Sequence, residues 1–142
     1  LMCFGNEIER MESSVKMHPG GVDGMESITM FFKDGRMAVL TAGMYSRSDR
    51  KGIIHGDKGF MVVENINNPQ SVSVFDEGYN LVKRIDFPEK VNGYEYEFEE
   101  AAAAFDSGKT ETESMPLDET VRVMELCDEL RRQWKFRYPQ EN

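Results

Sequence analysis

The chain has 142 residues, a length suited to one domain whose core needs no disulfide staples. Its formal charge is −9, from 26 Asp and Glu against 17 Lys and Arg, and the nearest thing to a basic cluster, residues 47–51, is interrupted by Ser48 and Asp49. This excludes an evident nucleic-acid surface; two cysteines are too few for a disulfide framework, and no apolar run reads as a membrane span or a signal peptide.

In chain order, Leu1-Met2-Cys3-Phe4 runs into Gly5 like the last turn of a helix meeting its glycine stop. Leu1 is not an initiator methionine, so the expectation is a fragment whose N-terminal portion is missing. Strands are expected at residues 8–17, 25–33, 36–45, 52–55, 60–64, 71–75 and 80–85, each bounded by turn-forming residues. Asp34-Gly35 is a strong hairpin signal. A two-residue turn there pairs Phe32 with Met37, Met30 with Val39 and Ile28 with Thr41 on one face. The opposite face then carries Phe31 with Ala38, Thr29 with Leu40 and Ser27 with Ala42. A solvated face alternates to polar residues, and this one does so incompletely, so something is expected to cover both sides of the sheet.

Two helices close the chain. Tyr94, Phe98, Ala101, Ala102 and Phe105 recur at helical spacing, and Gly108 suits the left-handed position that ends such a helix. Pro116, Asp118 and Glu119 mark the first turn of the second. Its stripe is Val123, Cys127, Leu130 and Trp134, widened by Val121, Met124 and Leu126, which makes Cys127 a buried free thiol. That suits a reducing compartment, and the cytoplasm is the expected location. Strands first and helices last is α+β: a mainly antiparallel, or mixed, open sheet with two C-terminal helices on one face. Residues 1–142 read as a single domain without repeats.

No catalytic centre is visible in the residues themselves. His18 and His55 stand apart without further ligands at metal spacing, and no metal site is expected. No two glycines are separated by a single residue, so the dinucleotide fingerprint G-x-G-x-x-G is absent. Glu95, Glu97, Glu99 and Glu100 read as the solvated side of the first helix.

The order and spacing of several short motifs nevertheless resemble the C-terminal domain of the glucose–fructose oxidoreductase/inositol dehydrogenase-like (Gfo/Idh/MocA) family over nearly the whole chain. They are Gly21-Val22-Asp23 before Ser27-Ile28-Thr29-Met30, the Asp34–Thr41 hairpin, and Ile54-His55-Gly56-Asp57-Lys58-Gly59, where Asp57 replaces the usual threonine. Gly93-Tyr94-Glu95-Tyr96-Glu97, Ser107-Gly108-Lys109, Glu113-Ser114-Met115-Pro116-Leu117 and Tyr138-Pro139-Gln140-Glu141 resemble the branch containing dihydrodiol dehydrogenase and NADP-dependent D-xylose dehydrogenase. The resemblance implies an NAD(P)-dependent oxidoreductase acting on a sugar, polyol or dihydrodiol, with its nucleotide-binding domain and catalytic lysine outside this chain. Pro88-Glu89-Lys90-Val91 lacks the family's proline after lysine and is given no catalytic role. Catalytic, cofactor-binding and metal residues are therefore expected to be none, with NAD or NADP bound by the missing domain. His18, Asp23 and Tyr94 are the candidates for substrate contact, by position near the family's cleft. The resemblance also implies a homo-oligomer built through the sheet face bearing Phe31, Ala38 and Leu40, and no activity for the chain alone. The alternative is a self-contained binding or assembly module without enzymatic activity.

Overall fold

The computed structural model describes residues 1–89 and 91–141. Its contacts divide into two compact units, Leu1–Arg47 with Glu113–Asn142, and Ser48–Thr112. Each unit holds one antiparallel sheet and one α-helix, so the α+β class stands, with the strands shared between two sheets.

The first unit contains β1 (Ile8–Met17), β2 (Asp23–Phe32) and β3 (Met37–Gly43), paired in that order, and α2 (Leu117–Trp134). The pairing of β2 with β3 differs from the expectation by one residue: Phe31 faces Met37, Thr29 faces Val39 and Ile28 faces Leu40. The turn explains the slip. The Gly35 N–H donates to Phe32 O at 2.9 Å, Gly35 takes φ +87°, and the Phe32 N–H returns to Arg36 O, also at 2.9 Å. A left-handed glycine after a tight turn adds one residue to the connection, giving a three-residue loop in place of two. Because side chains alternate, that single step reassigns faces. Phe31 now stands with Met37 and Val39, and Ala38 and Leu40 move to the side of Met30 and Ile28.

The Met11–Ser13 side of β1 receives α2. Trp134 Nε1–H donates to Ser13 Oγ at 2.8 Å, Ser13 donates to Gln133 Oε1 at 2.6 Å, and Gln133 Nε2–H donates to Met11 O at 3.0 Å. Among the described residues the buried apolar side chains are Phe32, Leu126 and Leu130, all in this unit. The helix therefore turns Leu126, Leu130 and Trp134 inward, and Cys127 is exposed, contrary to the buried thiol expected. Apolar residues run along two flanks of α2, and at 100° per residue Cys127 lies a quarter-turn from Leu126. Pro116 sits just ahead of the helix at its N-cap.

The second unit contains β4 (Gly52–Gly56), β5 (Gly59–Glu64), β6 (Ser71–Asp76), β7 (Leu81–Asp86) and α1 (Glu95–Asp106). His55, Phe60 and Phe75 stand opposite one another across three strands, and the two phenylalanine rings stack at 4.7 Å. The end of α1 is as expected: Gly108 has φ +68° and donates to Phe105 O at 2.9 Å, and Lys109 N–H donates to Ala104 O at 2.9 Å. Phe98 and Phe105 are exposed, so the aromatic stripe of α1 is not buried in this chain.

Candidate functional site

β1 and β3 flank β2 and run in the same direction, so the residues that follow them emerge at one end of the sheet, beside the start of β2. His18 follows β1, Asp23 opens β2, and Met44 and Tyr45 follow β3. The corner is tied by His18 N–H to Val22 O at 2.7 Å, Gly21 N–H to His18 O at 2.9 Å and Met44 N–H to Gly24 O at 2.9 Å.

The loop is shaped around the His18 ring. Gly20 N–H donates to His18 Nδ1 at 2.9 Å, so the neutral imidazole carries its proton on Nε2. A Cβ on Gly20 would lie 2.9 Å from that same Nδ1, and one on Gly24 would lie 3.2 Å from Lys16 O and 3.3 Å from His18 Cβ. Both glycines leave the space the imidazole needs. The Tyr45 ring packs against it, centroids 5.6 Å apart and planes tilted by 39°. Tyr45 is 75% exposed, with His18 half-buried beneath it. Glu26, half-buried one strand along, has its carboxyl pushed above the usual range, first by burial and then by the charge of Asp23.

Tyr94 belongs to the other unit, where it forms the N-cap of α1 and is exposed. Its N–H donates to Asn92 Oδ1 at 3.0 Å. The loop before it closes on the Glu95 carboxylate, which accepts Val91 N–H at 2.9 Å and Gly93 N–H at 2.7 Å. Its own backbone N–H, followed by those of Val91, Asn92 and Gly93, holds this carboxyl below the usual range. The structure thus brings His18 and Asp23 to one corner and places Tyr94 in the other unit, at the start of α1. Tyr45 was missed from sequence; its signal was topological, since strands flanking a common neighbour end together. Lys90 lies outside the described residues.

Among the described residues no group of three or more His, Cys, Asp or Glu is placed to hold a metal ion, and no helix is long and apolar enough to cross a membrane. The strands pair antiparallel within each sheet.

Proteins of the Gfo/Idh/MocA oxidoreductase family are similar to this chain, which matches the C-terminal portion of them. It is 28% identical over 120 residues, 84% of its length, to scyllo-inositol 2-dehydrogenase (NADP+) of Bacillus subtilis, and covers 36% of that protein. It shares its fold with UDP-N-acetylglucosamine 3-dehydrogenase of Acidithiobacillus ferrooxidans at a TM-score of 0.61 and 17% identity, covering 73% of this chain and 33% of the other. A second structural match is aldose-aldose oxidoreductase of Caulobacter crescentus, at a TM-score of 0.66 and 14% identity over 86% of this chain and 37% of the other. The chain spans about a third of the length of each of these relatives. No family model matches it.

Proposed function

We propose that this chain is the substrate-side and oligomer-forming domain of a longer, cytoplasmic NAD(P)-dependent oxidoreductase acting on a sugar, polyol or dihydrodiol. The observation that carries the reading is the similarity over 84% of the chain to a dehydrogenase of an inositol. The division of labour is chemical. The nicotinamide moves hydride, and the protein orients a carbinol carbon against it and handles the proton. This chain supplies pocket wall, with His18 and Asp23 as the substrate contacts proposed in the first unit and Tyr94 as the one proposed in the second, each taken by itself, and leaves cofactor and proton transfer to other residues.

The oligomer surface in this reading is the sheet face with Phe31, Met37 and Val39. Met37 and Val39 are exposed there, and the Arg10 guanidinium lies 3.4 Å over the Phe31 ring. Burial of such a face favours association by about 25 cal/mol per Å² before association costs.

Two measurements test the reading. The chain mixed with NAD+ or NADP+ and a panel of aldoses and inositols should give no turnover; turnover would show that the chemistry resides here. Light scattering during size exclusion should report a dimer or larger assembly, and a strict monomer at all concentrations would remove the oligomer role.

A further inference from the structure

The His18 corner presents more than the residue its sequence singles out. His18 has one ring nitrogen occupied by Gly20 N–H, which leaves Nε2–H as a donor of fixed direction. Tyr45, 5.6 Å away, adds a second ring and a phenol that both donates and accepts. The tilt of 39° keeps the two rings from stacking flat, and the exposure of Tyr45 leaves its ring and hydroxyl accessible. Asp23, whose carboxylate is an acceptor, begins the strand between them. Donor, donor–acceptor and acceptor at one sheet corner, beside an aromatic surface, match the edge of a polyol: adjacent hydroxyls on a ring whose C–H face is apolar.

We infer that Tyr45 completes a hydroxyl-recognising subsite with His18, its ring packing against the C–H face of a cyclic polyol or aldose while the two polar tips bind neighbouring hydroxyls. The inference rests on the proposed role of this chain as a pocket wall and adds to it a residue and a recognition chemistry. It requires no bond to be made or broken. The tight backbone at Gly20 and Gly24 fits such a role, because it fixes the imidazole before any ligand arrives.

The test is a titration of the 142-residue chain with myo-inositol and with D-glucose, followed by side-chain aromatic NMR. Saturable shifts of the His18 and Tyr45 rings are expected, with the His55 ring of the other unit unmoved. Tyr45→Ala should weaken binding about five- to tenfold, the loss of one hydrogen bond and a ring contact. Tyr45→Phe, which keeps the ring, should fall between the two. The indole N–H signal of Trp134, unchanged in both variants, establishes that the first unit remains folded. Saturable binding that leaves the Tyr45 ring unmoved, or that survives Tyr45→Ala at full strength, overturns the inference and leaves the pocket-wall reading standing. Shifts of His55 equal to those of His18 also overturn it, as non-specific association. Absence of saturable shifts with both sugars up to their solubility overturns the pocket-wall reading and this inference with it.

Discussion

Gly35 holds φ +87° with open space where a Cβ would point, so the cost of Gly35→Ala is conformational alone. It should be about 1–2 kcal/mol, seen as a lower urea midpoint at unchanged slope. Ser71 makes the opposite case. It is 1% exposed and its hydroxyl has no hydrogen-bond partner, so Ser71→Ala removes a desolvated group and should be neutral or stabilising by up to about 1 kcal/mol in the same assay. Glu26 carries a pH signature. A carboxyl whose folded-state pKa is raised contributes stability below the ordinary glutamate range and loses it as pH rises through the folded value. Glu26→Gln should therefore gain stability over the unchanged chain at pH 7 and lose that advantage at pH 4, read from paired thermal melts. Glu95 runs the other way. Its ionised carboxylate accepts the N–H groups that hold the turn before Tyr94, so the turn is held at neutral pH and released as pH falls through the depressed folded value, which amide exchange at Gly93 would follow.

Among the elements, α2 decides how well a helical pattern predicts burial. Leu126→Ala or Leu130→Ala should cost about 2–5 kcal/mol, whereas Cys127→Ser should stay within about 0.5 kcal/mol. The expected stripe ran through Cys127 because Val121, Val123 and Met124 extend the apolar surface beyond what one sheet can cover; periodicity locates a helix but not which flank is inward. Strand positions were legible, with β1 expected and found at 8–17, because alternation and turn residues are local signals. The β2–β3 register was not, since a single left-handed glycine sets the loop length and only backbone geometry reveals it. Tyr45 was illegible for a related reason: its proximity to His18 comes from strand order, and the two are 27 positions apart in the chain.

At the scale of the whole molecule, the scarcity of core is the main physical fact. The second unit has no fully buried apolar side chain among its described residues, while Phe98 and Phe105 of α1 and Leu81 and Val82 of β7 are exposed. Surfaces of this kind favour association. If the Phe31 face is the contact between copies, Val39→Lys should shift the light-scattering mass toward monomer while leaving the urea midpoint nearly unchanged, because Val39 is 61% exposed in the single chain. The tryptophan that clasps Ser13 also gives the chain an optical asymmetry. Trp134 is the only indole in the sequence and it belongs to the first unit, so tryptophan emission, excited selectively beyond the tyrosine band, watches α2 leave β1 and is blind to the second sheet, whereas circular dichroism sees both. Melting curves recorded by the two signals will coincide if the units unfold as one and separate if they do not, a readout of cooperativity that needs no added label.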